Sequence, residues 1–238
     1  MTERKRPVGL RPLLLASMEQ DRLNIAPWIG LITALAFTSM LAFAWVFPDR
    51  TSQLRLQQTV NANPAFALIF GSGAVLTSGE GFTAWRSGQL GYFFAALMAI
   101  LIVIRNSRAN EDSGQAELIA STVVSRNARL MVAMAMGGLA SIALGLVSGA
   151  VTVLFGGRPS DIFVITAGYA AAGLMFTGVA AVTAQIGSDS RAANTFAVVA
   201  LAACFLGRGV AEVLSAPDWV LWLTPFGWLT KVHPVAEN

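Results

Sequence analysis

Five long apolar stretches, set apart by two long and two short intervening segments, make the pattern of this chain. They lie at about residues 26–47, 88–104, 130–155, 162–186 and 195–216. Each is close to the roughly 20 residues with which a helix crosses the hydrocarbon of a bilayer. The residue-by-residue alternation of a membrane barrel is absent, and inside lipid only helices and closed barrels satisfy the backbone. The pattern therefore predicts an all-α, polytopic membrane protein with about five transmembrane helices.

The flanking segments add two shorter elements. In residues 9–23, Leu10, Leu13, Leu14 and Met18 share one helical face while Arg11, Glu19 and Arg22 share another. Such a stripe predicts an interfacial helix in the cytoplasmic N-terminus, 1–25, with an ordinary solvated extension as the alternative. After Pro217, the run Asp218 to Trp228 carries three tryptophans around a Pro-Phe-Gly break. It predicts a short interfacial or re-entrant helix in 217–238 rather than another span. The segment 48–87 is ambiguous. Residues 57–79 hold no charge, yet Asn61, Asn63, Pro64 and glycines 71, 73, 79 and 81 weaken a helix there. We read it as an extracytoplasmic segment that touches the membrane without crossing.

Charge settles the orientation. Arg4, Lys5, Arg6, Arg11 and Arg22 precede the first span, and Arg105, Arg108, Arg126 and Arg129 flank the polar stretch after the second. By the positive-inside rule both regions are cytoplasmic, which predicts a multi-pass protein of the cell membrane with its N-terminus inside. A further span within 48–87 would put the second group outside.

Within the spans, Gly137, Ser141, Gly145 and Gly149 recur at four-residue spacing, a ladder that lets two backbones approach. It serves packing within the subunit or, alternatively, a dimer seam or substrate wall. Arg208 and Glu212 sit four apart in the fifth span and can pair along the helix. Ionisable residues in a membrane are functional candidates, but an opposite neighbour favours a structural pair.

Composition changes the picture only by exclusion. With 55% hydrophobic and 12% charged residues and mean hydropathy +0.63, the chain cannot furnish the exterior of a soluble domain. The formal net charge of +3 is spread by topology, with no basic stripe among exposed aromatics, so nucleic acid is not an expected partner. Cys204 and His233 are the only residues of their types, which leaves no disulfide and no metal site. There is no phosphate-binding loop, nucleophile elbow or zinc spacing, and no deep acid in the first four spans for a proton relay. Sodium coupling through backbone carbonyls stays open.

The segment 105–126 is the polar exception. It contains Glu111-Asp112-x-Gly114-x-x-Glu117-Leu118, then Val124-Ser125-Arg126. Together with Phe82-Thr-Ala-Trp-Arg86 and Leu223-Thr-Pro-Phe-Gly-Trp228, this order of motifs resembles the type-2 ABC exporter permeases, in the branch of polyketide-antibiotic or tetronasin-type exporters. Val123 stands where that family commonly has proline, and Gln115 where it often has arginine. The resemblance implies an N-terminal half of a permease, with six spans per half and a second half fused or separate. It implies that loop 106–128 docks on a cytoplasmic ABC ATPase dimer through Glu111, Asp112, Gly114, Glu117, Leu118, Ser125 and Arg126. ATP and magnesium would be bound by that partner, not by this chain, which is then a transport subunit and not an enzyme.

Physically the segment suits such a role. Its acids fall at the start of a short helix, where they complement the dipole, and Leu118, Ile119 and Val123 can fill a groove. The expected activity is export of hydrophobic or amphipathic compounds such as drugs, antibiotics or lipids, with the substrate path on the first, second and fifth spans and membrane lipid around it. A secondary transporter, or a scaffold without an ATPase and with a merely solvated loop, is the alternative.

Overall fold

The computed structural model describes residues 10–72, 75–109 and 126–232. Its elements are all helical: α1 (Leu10–Val46), α2 (Arg50–Ala62), α3 (Pro64–Phe70), α4 (Gly79–Ile104) with a π-helical end (Arg105–Ala109), α5 (Arg126–Leu154), α6 (Pro159–Ile186), α7 (Ser190–Val213), α8 (Asp218–Leu221) and α9 (Pro225–Thr230). The helices α1, α4, α5, α6 and α7 are long and apolar enough to cross a membrane. This is an all-α, multi-pass membrane protein. We call the end holding the start of α1 and the edges of segment 110–125 the near end, and the other the far end.

The centre of the bundle is α4, which packs on α1, α5, α6 and α7. Its most apolar window is 72% buried, against 28% in α1 and 33% in α7, so those two face mostly outward. The α5–α6 seam is built on small residues. A Cβ on Gly137 would lie 2.8 Å from Thr177 Oγ1, and one on Gly149 2.7 Å from the Phe163 ring. From the other side, a Cβ on Gly173 would lie 2.2 Å from Ser141 Oγ. Gly145 likewise meets the Thr166 carbonyl, at 2.9 Å. The ladder thus faces α6 of the same chain.

Two tyrosines lock α4 to α6. The Tyr169 ring covers Gly91 and the Tyr92 ring covers Gly168, each 2.4 Å from where a Cβ would stand. The Tyr169 hydroxyl donates to Ser87, 2.8 Å from its Oγ. Both rings are buried, so this reciprocal exchange fills the seam without leaving the Tyr169 hydroxyl unmatched.

Three boundaries differ from the sequence reading. The interfacial helix expected at 9–23 and the first span are one unbroken helix, α1, running through Pro27. At about 1.5 Å per residue its 37 residues reach roughly 55 Å, far beyond a hydrocarbon core of about 30 Å. A proline inside a membrane helix is tolerated where neighbours compensate the lost bond. Second, α4 begins at Gly79, nine residues before the expected 88, so the tail of segment 48–87 belongs to a span. Ser78 caps it through Gly81 N–H at 3.1 Å, and Gly81 is required because the Val75 carbonyl occupies its Cβ position, at 1.8 Å. Third, that segment forms two helices although its asparagines, proline and glycines weaken one: α2 and α3, with 13 and 7 residues, are too short to cross and lie against the far end. Asp49 caps α2, and the Ser52 N–H holds its carboxyl below the usual range.

At the far end the turn between α5 and α6 uses Gly156 at φ +101 and Pro159 as the first residue of α6. The C-terminal aromatic segment folds as two short turns. Thr224 caps α9 through Gly227 N–H, and Phe226 is fully buried against Phe176 and Phe205. Gly227 passes so close to the Leu221 carbonyl that a Cβ would sit 1.9 Å from it. Gln89 on α4 donates to Thr230 at 3.0 Å and ties this segment to the bundle.

Candidate functional site

At the near end, the π-helical extension of α4 carries a polar sequence, Arg105-Asn106-Ser107-Arg108, from an exposed Arg105 to a buried Ser107. Asp21 of α1 is its counterpart: 3% exposed, it accepts from Asn24 at 3.1 Å and from the Asn106 amide, and pairs with Arg105 Nε at 3.3 Å. A buried carboxylate with three donors is satisfied, not stranded. Arg108 turns the other way. Its Nε donates to the Ala184 carbonyl at 2.9 Å, and its Nη2 to the Gly187 carbonyl, at the C-terminal end of α6. A cation there complements the helix dipole and fills carbonyls that lack an intrahelical partner. Ser107 returns to the Val103 carbonyl at 2.7 Å. The last turn before segment 110–125 is thus bolted to α1 by one side and to α6 by the other.

The predicted coupling residues Glu111, Asp112, Gly114, Glu117, Leu118 and Ser125 lie outside the described residues. Arg126 opens α5, and its side chain is likewise outside the description.

At the far end, Arg208 and Glu212 of α7 are paired at 3.4 Å with side chains 0% and 3% exposed. Their partner is not another span but α3. Arg208 donates to the carbonyls of Ala67 at 3.3 Å and of Leu68 and Ile69 at 3.2 Å, while Glu212 accepts from Ser72 N–H at 2.8 Å. The guanidinium thereby answers the orphan carbonyls of Leu68 and Ile69 at the C-terminus of α3 and shares that of Ala67 with the Gly71 N–H. Gly209, between the two, lets the chains touch: a Cβ there would lie 2.3 Å from the Leu68 carbonyl. The Phe205 ring lies 5.2 Å from the guanidinium.

A third polar join, at the far end of α4, fixes the helix start. Glu80 is 8% exposed, accepts from Arg158 N–H at 3.1 Å and pairs with its side chain at 3.4 Å. Sequence reasoning missed Asp21, Asn106 and Glu80, and used Arg108 only as a topology signal. The available sign was a carboxylate near the edge of an apolar run, which asks for a buried partner.

With this geometry in place, the chain can be set beside known proteins. Residues 21–237 match the family model described as "Multidrug efflux system permease Rv1217c, C-terminal domain". The chain belongs to this family. It is 32% identical over 230 residues to the multidrug efflux system permease protein Rv1217c of Mycobacterium tuberculosis, an alignment that covers 96% of this chain and 41% of that protein. The chain therefore spans less than half the length of that relative. The matching model describes a C-terminal domain, where the motif resemblance implied an N-terminal half. If two fused halves repeat one arrangement of spans and loop, a loop motif cannot tell them apart.

Proposed function

We propose that this chain is a permease unit of an ATP-driven efflux system, moving hydrophobic or amphipathic compounds outward across the cell membrane. In this reading the near end is cytoplasmic and loop 106–128 docks on a separate ABC ATPase dimer, which holds the ATP and magnesium. A second permease half, fused or separate, completes the path. The observation that supports it best is the clamp around Arg105, Asn106 and Arg108. A solvated connector needs no buried anchorage, whereas a lever does. A force applied to the loop reaches α1 through Asp21 and α6 through Arg108, because packed helices move as bodies and not as continuous gels.

The relative's description as a multidrug efflux permease supports the substrate class. Loop acids Glu111, Asp112 and Glu117 supply the charge that a docking groove would select, with Gly114, Leu118, Ser125 and Arg126 shaping and ending the segment. The test is purification of the native protein in mild detergent with mass spectrometry of what accompanies it. We expect a stoichiometric ATPase, lost in Glu117→Lys together with export, while membrane insertion is unchanged. A preparation free of ATPase in several detergents, or full export by Glu117→Lys, would overturn the reading.

A further inference from the structure

The described residues form two separate hydrophobic cores. The larger runs through the bundle; the smaller sits at the far end and is dominated by rings from three elements. Phe43 comes from the end of α1 and Phe47 from just beyond it, Phe82 and Trp85 from the start of α4, and Phe66 and Phe70 from α3. Trp85 lies at the centre, 4.8 Å from Phe70 and 5.8 Å from both Phe66 and Phe82; Phe82 in turn meets Phe43 at 5.7 Å and Phe47 at 5.8 Å.

Two features set this cage apart from ordinary packing. Trp85 is 8% exposed, yet its indole N–H is buried without an acceptor. Buried tryptophans usually place that donor, and leaving one unmatched is costly. The other feature is the wall supplied by α3. None of its seven residues is buried, and a helix of that length does not hold itself together. It is bounded by an extended Asn63 and by Gly71 at φ +92, and it is fastened by Arg208 and Glu212. Two of the six rings therefore sit on a hinged, separately latched piece, and four on or just beyond the membrane helices.

We propose that this cage is a binding site for flat, lipophilic aromatic molecules carrying an acceptor oxygen, such as ring ketones and quinones. The acceptor pairs with Trp85 Nε1, the ring system takes the place against Trp85 that Phe66 and Phe70 now fill, and α3 lifts to admit it. For its purpose the site rests on the efflux reading above; its occupancy does not. An acyl chain would also enter an apolar cage, but it has no use for the N–H. That difference decides between the two occupants.

The experiment uses the native protein in nanodiscs of phosphatidylcholine and phosphatidylglycerol, with tritiated 9-fluorenone and fluorene as probes that differ by one carbonyl. We expect saturable fluorenone binding that weakens about tenfold in Trp85→Phe, the size of one lost hydrogen bond, with fluorene binding unaltered by the substitution. Benzophenone photolabelling of the unaltered protein should place adducts on peptides bearing residues 43–47, 66–70 and 82–85. Absent saturable binding, equal weakening of both probes, or adducts confined to the larger core would each overturn the site. A protein that exports but fails these arms loses the site alone. Saturable binding in a protein with no ATPase partner keeps the site and removes the export reading.

Discussion

Replacing Arg208 by Met tests the far-end clasp most directly. The substitution keeps an unbranched apolar stem of about the length of arginine's own, while deleting the guanidinium with its three hydrogen bonds to α3 carbonyls and its pairing with Glu212. Removing one member of a buried ion pair typically costs about 3–5 kcal/mol, because the other charge stays behind without compensation. Arg208 and Glu212 are 0% and 3% exposed in their side chains, so solvent screening does not soften that figure. If most of it falls on α3, which has no buried residue of its own, amide exchange in 64–72 should accelerate by roughly two orders of magnitude or more. Hydrogen exchange read by mass spectrometry in nanodiscs would show this, with peptides from α5 and α6 as the protected reference. Adding Glu212→Gln to Arg208→Met should recover part of the loss, since the stranded carboxylate is gone, with a coupling of about 0.5–3 kcal/mol. Unchanged exchange in 64–72, or an equal rise across the whole bundle, would refute the idea that the pair's task is to hold α3.

Two further outcomes follow from the same geometry. Gly173→Ala drives a Cβ onto Ser141 Oγ and should cost about 1–3 kcal/mol in a detergent unfolding titration, whereas Gly178→Ala, with nothing within 4 Å, should be neutral or gain up to about 1 kcal/mol; similar behaviour of the two would disprove the close α5–α6 seam. Asp21→Ala leaves Asn24, Asn106 and Arg105 without their shared acceptor and should cost about 1–3 kcal/mol; on the proposed efflux function it should also lower export at equal protein level. An Asp21→Ala protein that melts and exports as the parent does would remove the near-end clamp from the mechanism.

Much of this architecture could be read from the chain, and the failures have physical causes. The five spans were legible because an apolar run has one meaning in lipid. The small-residue ladder was legible because four-residue spacing defines a helix face, though only the structure shows which face it meets. The start of α4 was not. Gly79, Glu80, Gly81 and Arg86 have the composition of a loop, and the first three make sense only beside their partners: Met40 under Gly79, the incoming Val75 carbonyl under Gly81, Arg158 on Glu80. The Arg208–Glu212 pair could be seen from its spacing, but not that its carbonyl and amide partners lie about 140 residues away, in α3 and at Ser72 just beyond it. Asp21 was hidden for the same reason, being 85 residues from Asn106. Of the candidate coupling residues, only the helical backbone position of Arg126 falls among the described residues, so that part of the site is still read from the sequence alone.

The distribution of buried polar groups assigns different mechanical parts to the helices. One helix, α4, carries the near-end clamp at one terminus and, at the other, Glu80 and the Trp85 cage. Between them it is interlocked with α6 by two rings that each fill the other helix's missing side chain. Sliding α4 along α6 would push Tyr169 off Gly91 and Tyr92 off Gly168 at once, and in a close-packed interior such a step has no small intermediate. Any displacement imposed at Arg105–Arg108 must therefore carry α4 and α6 together. Beyond the Asp21 clamp, the seams with the least buried surface are those of α1 and α7. Those same two helices supply Phe43, with Phe47 just beyond it, to the cage and the Arg208–Glu212 latch to its cover. On the efflux reading proposed above, a movement started at the near end would reach the far-end cage through walls that belong to different helices.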